Sequence, residues 1–256
     1  MATRKTTTEE AVDIELSQSR ATYHLLGTTP LIQNRMSEKA RHEILLPRGK
    51  LNAAQRATNL KHEPLVEFRA AAHTIRIQGG PTLLGVPSPA FKAAMGTAAL
   101  DLPGTMKTKI ARLTFVEGYM VNIYGIPELL MSVVRMADMN HTPDIRSRPI
   151  IARWACEVTV RYMEPQMNGQ MVSRLLAAAG MSIGVGDWRN SKGSGNFGLW
   201  DIVRGDNPEW LELIKTGGRD AQEAAMANPT CYDDETAELL SWYDTELDKR
   251  RLKGVT

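Results

Sequence analysis

The sequence predicts an α+β protein built on an antiparallel sheet open on one face, followed by a helical C-terminal segment. Three observations predict it. Between Ile150 and Met163, the residues Trp154, Cys156, Val158, Val160 and Tyr162 alternate with Ala155, Glu157, Thr159, Arg161 and Met163. That period of two gives one apolar face and one largely polar face, as in a strand with water on one side. Next, Met171, Val172, Leu175, Leu176 and Ala179 fall at helical spacing up to Gly180, and a glycine loop leads to a β-rich run from Phe197 to Val203. Beyond Asn207 the pattern is helical.

The other elements follow from local signals. Residues 1–20 are polar and Thr-rich and read as a flexible arm. Tyr23 to Asn34 reads as a first strand. Ser37 caps a helix to Leu46, and Arg48 to Lys61 is a basic connection. Pro64 opens a helix to about Thr74, Gly79-Gly80-Pro81 turns the chain, and Thr82 to Val86 is a short strand. Ser88-Pro89 reads as an N-cap followed by a first-turn proline, starting an Ala-rich helix that Pro103-Gly104 stops. A short helix covers Thr105 to Leu113. Phe115 to Tyr124 is β-rich, either a hairpin or a bulged strand at Glu117-Gly118, and Leu129 to Met136 is a further strand. Helices are predicted from Pro208 to Ile214 and from Asp233 to Lys253. The predicted organisation is an arm over 1–20, an α+β domain over 21–205 and an acidic helical extension over 206–256.

Bulk properties exclude some classes. Hydrophobic residues make up 43% and charged residues 23% of the 256, the balance of an ordinary globular protein. No apolar run reaches the roughly 18–20 residues of a membrane span, and the N-terminus lacks the apolar core of a signal peptide. Cys156 and Cys231 lie far apart without metal spacing. A cytoplasmic setting, with no membrane partner, no metal and no cofactor, is the simplest expectation. Residues 206–256 hold twelve acids against six bases, while 35–61 holds seven bases against two acids. A basic body with an acidic end suits polyanion binding, or two solvated faces; the acidic helices are expected to dock on the body or on a second copy.

The densest signal is the stretch from Gly184 to Gly198. Five glycines (184, 186, 193, 195 and 198) surround Trp188, Arg189, Asn190, Ser191, Lys192 and Asn196. Glycine permits positive φ and close backbone approach, and cations beside bare N–H groups suit a phosphate chain. Gly184, Gly186, Arg189, Lys192, Gly193 and Gly195 are therefore the expected phosphate contacts. Trp188 either stacks on a base or packs beneath the loop and holds it. The G-x-G-x-x-G match at Gly193 precedes a strand and not a helix, so it is no dinucleotide fingerprint, and the order at Lys192 is wrong for a P-loop.

Further candidates are Ser88 and Lys92 at a helix start, and Arg48 and Lys50 in the basic connection. Arg161, on the polar strand face, either reaches RNA or pairs with Glu157. Among the histidines, His24 and His42 are candidate general bases. Cys156 alternates with core residues and reads as packing.

Two segments resemble the RAMP superfamily, the RNA-binding proteins of CRISPR systems. One is the glycine-rich loop Gly184 to Gly198 before a last strand. The other is Gly85-Val86-Pro87-Ser88-Pro89-Ala90-Phe91-Lys92-Ala93-Ala94, similar to that family's apolar-Pro-x-Ser-x-Phe/Leu-Lys-x-Ala helix start. Thr29-Pro30-Leu31 resembles the family's opening strand. The resemblance implies an elaborated ferredoxin-like, RRM-like antiparallel sheet with helices on one face. It also implies binding of RNA or single-stranded nucleic acid, in a stand-alone or mobile-element relative. That family's nucleases often keep a histidine in the N-terminal half, hence His24 and His42, although no histidine here is plainly placed for catalysis. The acidic extension is also a departure. The expected function is non-catalytic nucleic-acid binding, with a metal-independent endoribonuclease or an assembly protein as alternatives.

Overall fold

The computed structural model describes residues 16–35, 62–135, 143–191 and 195–253, with only the backbone for Arg135 and for residues 251–253. The elements in order are β1 (Ser17–Gly27), β2 (Leu31–Ile32), α1 (Pro64–Ala71), β3 (Gly85–Pro87), α2 (Ser88–Ala98), α3 (Lys107–Leu113), β4 (Thr114–Val116), β5 (Met120–Tyr124), β6 (Pro127–Arg135), β7 (Pro143–Ile151), β8 (Ala155–Glu164), α4 (Gly169–Ser182), β9 (Trp200–Val203), α5 (Pro208–Thr216), α6 (Arg219–Ala227) and α7 (Asp234–Lys253). The fold is α+β, with antiparallel sheets, helices packed against them and helices at the C-terminus.

The main sheet runs in the order β3-β5-β8-β1-β9. β4 and β5 lie in tandem along one edge of β8, where Val116 pairs with Val160 and Ile123 with Cys156. The residues between them form the bulge expected near Glu117-Gly118, with Gly118 at φ +77°. β1 pairs with β8 from Ser17↔Glu164 to Leu26↔Ala155, and β9 pairs with only the last part of β1. The chain thus runs β1, α2, β4–β5, β8, α4, β9, and all these pairings are antiparallel.

Alternation decides which face is buried. Cys156, Val158, Val160 and Tyr162 of β8 and Leu25 of β1 turn inward, and α2 and α4 cover them with Phe91, Ala94, Met95, Val172, Leu175 and Leu176. Burying one such Leu contributes roughly 1.5–3 kcal/mol, so this layer dominates stability. The opposite face stays open except at one end. There Trp210 and Leu213 of α5 pack on Ala155, Leu26 and Val203. Helices therefore lie mainly, but not wholly, on one face.

A second sheet, β2-β7-β6, joins β2, which follows β1, to the hairpin β6–β7, which is inserted between β5 and β8. The single strand expected from Ile150 to Met163 is in fact two strands in two sheets, parted at Ala152 to Trp154. Trp154 forces the break. Its fully buried indole donates to Thr29 O at 2.9 Å, and its ring lies where a Cβ on Gly27 would sit.

Two expected helix ends are also corrected. Pro87, and not Ser88, is the N-cap of α2: its ψ of 127° is not helical, Ser88 is already the first helical residue, and the Ser88 N–H donates to Tyr119 O at 3.1 Å. α4 runs past Gly180 to Ser182: a Cβ at Gly180 would strike Trp200 O, so that glycine serves close approach to β9 and not termination.

α6 escaped the sequence reading. It is tied in by Gln222, fully buried, which accepts from Leu83 N and Leu84 N and donates to Ile123 O, Gly125 O and Gly217 O. Arg219 donates to Ile75 O, Ile77 O, Gly80 O and Thr82 O. Such charge-assisted and buried bonds make α6 part of the body.

Candidate nucleic-acid interface

The open face of the main sheet is a set of cross-strand rows fixed by register. The first is Phe115↔Arg161↔Arg20, across β4, β8 and β1. Next come Thr159↔Thr22, whose hydroxyls meet at 2.9 Å. Then follow Glu157↔His24, with His24 Nε2 at 3.5 Å from the Glu157 carboxylate. Trp210 closes the end of the track, its ring edge-on to His24 at 4.5 Å between centroids. Tyr124 sits near Glu157. Burial first, then the Glu157 charge, raise its phenol above the ordinary value.

Glu117 projects from the β4–β5 bulge onto the first row. One of its oxygens is 3.1 Å from Arg20 Nε and 3.5 Å from Arg161 Nε. Arg161 also donates to Gln18 at 3.4 Å. Of the two roles open to Arg161, pairing with Glu157 is not what forms; its acid is Glu117, because Glu157 lies two rows further on and takes His24. Lys92 extends from α2 to stand 4.9 Å from the Phe115 ring centroid, a cation–π contact. Ser88 is almost wholly buried, and its hydroxyl donates to Glu117 O at 3.4 Å. Its N–H and hydroxyl are thus turned to protein carbonyls.

The glycine loop is shaped by close packing. Gly184, Gly186 and Gly198 have φ of +74°, +86° and +74°. A Cβ on Gly195 would overlap Trp188 O, and one on Gly198 would overlap Val185 O. Val185 N donates to Gly198 O, Asp187 N to Ile32 O and Gly198 N to Pro30 O, at 2.8–2.9 Å. The first of these N–H groups closes the loop on itself, and the other two hold it against Pro30–Ile32. Arg189 braces the tip, donating to Gly186 O at 2.8 Å and Ser191 Oγ at 3.1 Å. Trp188, at φ +51° and 41% exposed, stacks on Phe197 at 5.4 Å. Both of its expected roles remain geometrically open, since it supports the loop and still shows surface. Lys192, Gly193, Arg48, Lys50 and His42 lie outside the described residues.

Beneath the loop sits a pair the sequence reading missed. Arg148, buried to 3% exposure, donates to Asp187 Oδ2 at 2.7 Å and to Ser132 Oγ at 2.6 Å. Burial alone would raise the Asp187 carboxyl. Arg148, Asn34 at 2.8 Å and the Trp188 N–H outweigh it and hold the carboxyl below its ordinary range. Cys156 is fully buried, and burial, with the Glu157 charge added, pushes its thiol up, which suits packing and not nucleophilic attack. His62 bridges Glu67 and Asp144, each at 2.9 Å. Among the described residues no cluster of His, Cys, Asp or Glu is arranged to hold a metal ion, and no helix is long and apolar enough to cross a membrane.

No protein-family model matches this chain, and none of the curated proteins matches it.

Proposed function

We propose that the protein binds RNA or another single-stranded nucleic acid, without cleaving it, on the open face of its main sheet. The observation that carries this reading is the sheet itself. Its β1-α2-β4/β5-β8-α4-β9 connectivity and β9-β1-β8-β5 order correspond to a ferredoxin-like, RRM-like arrangement. Both connecting helices cover one face, and the other presents Arg20, Arg161, Thr22, Thr159 and His24 to water. Cations position a phosphate backbone and hydroxyls bond to it. The glycine loop adds Arg189 and the exposed Trp188 as a second contact, and its place before the last strand supports kinship with the RAMP superfamily.

Charge introduced on each face tests this. Thr159→Glu places an acid in the middle of the open face, whereas Arg174→Glu changes an exposed residue of α4 on the helical side. With melting temperatures matched, the first substitution weakens binding of a single-stranded oligonucleotide by tenfold or more and the second leaves it within about twofold. Equal effects would show that the open face is not the interface.

One observation favours a second reading, a metal-independent endoribonuclease: His24 is partly exposed on the same face with a carboxylate partner. RNA cleavage in EDTA that disappears in His24→Ala, and at a site made 2′-deoxy, would establish it.

A further inference from the structure

We propose that Arg20 and Arg161 form a clamp for one phosphodiester of a single-stranded polynucleotide, and that Glu117 fills this clamp in the free protein as a built-in competitor. This rests on the nucleic-acid reading above and deepens it by naming a subsite and its regulation.

The register puts the two arginines directly opposite each other on central strands, where like charges repel and cost stability. A single carboxylate oxygen of Glu117 lies between them, at 3.1 Å and 3.5 Å from the two Nε atoms. One acid against two guanidinium groups leaves a net positive charge at that spot. Glu117 reaches it because the β4–β5 bulge re-aims its side chain while its N–H stays on Thr159 O at 2.9 Å.

The three side chains are 66%, 47% and 29% exposed, so the contacts are formed in water and are weak. A phosphodiester carries the same charge as the carboxylate, also over two oxygens, but these are not tethered to the β4–β5 bulge. It can therefore face both guanidinium forks at once, where Glu117 offers both the same oxygen.

The neighbours favour a nucleotide over free phosphate. Phe115 stands in the same row, opposite Arg161 and 40% exposed, with Lys92 at its ring. An aromatic surface beside a phosphate clamp suits a base. The paired hydroxyls of Thr22 and Thr159 occupy the next row.

Two probes are used on the full chain: inorganic phosphate, and a 5′-labelled single-stranded oligouridylate. Glu117→Gln is expected to raise oligouridylate affinity roughly threefold at low salt, the scale of an exposed ion pair. The double variant Arg20→Gln/Arg161→Gln is expected to lower the salt slope by about 0.7, the value for one phosphate contact on a single strand, and to abolish the gain from Glu117→Gln. In Glu117→Gln, the Nε–H signals of Arg20 and Arg161 should shift with both probes in a nitrogen-15 NMR titration. Glu117→Ala serves the same purpose should the Gln variant misfold.

Nε–H signals that stay fixed with both probes overturn the clamp, even if the protein binds oligouridylate elsewhere. Signals that move with phosphate in a protein that binds no oligouridylate overturn the polynucleotide as ligand and contradict the nucleic-acid reading with it. Equal affinity of Glu117→Gln and the parent chain overturns the competitor role.

Discussion

At the scale of single residues, the glycine loop shows why residue type matters more than motif. Gly195 and Gly198 are needed because Trp188 O and Val185 O lie where a Cβ would be, and Gly198 adds a positive φ. Gly195→Val and Gly198→Ala should each destabilise by about 2 kcal/mol or more, read as a lowered urea midpoint at unchanged slope. Wild-type midpoints in both would mean the loop conformation is not specified. These close approaches could be expected from glycine density alone, but their partners could not. Asp187 and Arg148 illustrate the limit: they sit on a loop and a strand 39 residues apart, and nothing local marks Arg148 as buried. Their pairing predicts an acid effect. Because the folded protein holds the Asp187 carboxyl below its ordinary 3.8, the unfolded chain takes up the proton first. The stability gained is complete above about pH 4 and is lost as pH falls through the folded value. Asp187→Asn should therefore be less stable than the parent at neutral pH, with the gap closing in acid. A gap constant down to pH 2 would contradict the pairing.

At the scale of elements, periodicity explains what could be read. β8 and α4 declare themselves because their faces are cleanly divided between the core and water or neighbours. β7 does not, because Pro143, Pro149, Arg146 and Arg148 interrupt its pattern and its buried run continues into Ile150 and Ile151. The first part of β1 fell within the stretch read as a polar arm. Gln18, Arg20 and Thr22 are polar because they belong to the open face, and Ser17 and Ser19 because they lie at the outer end of the sheet, so nothing local marks Arg20 as part of a strand. The acidic segment lies against the body along β6. Leu129 N donates to Thr230 O, Tyr232 N to Leu129 O and Met131 N to the buried Thr236 Oγ1, which covers the outer edge of β6. Thr236→Val keeps the shape but leaves the Met131 N–H without its acceptor, at an expected cost of about 1–3 kcal/mol. Deleting 229–256 should go further, baring a strand edge and promoting aggregation. A truncated chain that melts like the parent and stays dispersed would show that this cover contributes nothing.

At the scale of the whole molecule, the α+β class and the open face follow from alternation along one strand, but which residues share a row follows from register. Register is set by pairings between strands more than a hundred residues apart, such as Arg20 with Arg161. The candidate interface was legible only in part for that reason: Arg161 was singled out from the polar face of β8, while Arg20, Glu117 and Phe115 join it only once β1 and β4 are laid alongside. The central claim is that this face gathers the backbone of a single-stranded polynucleotide. The most direct measurement is the affinity of purified, nuclease-treated protein for a single-stranded RNA across a salt series. Three or more phosphate contacts predict a fall of log K with log salt of about 2 or steeper, reduced in Arg20→Gln/Arg161→Gln. Binding that is absent at low salt, or that does not change with salt, would contradict the claim.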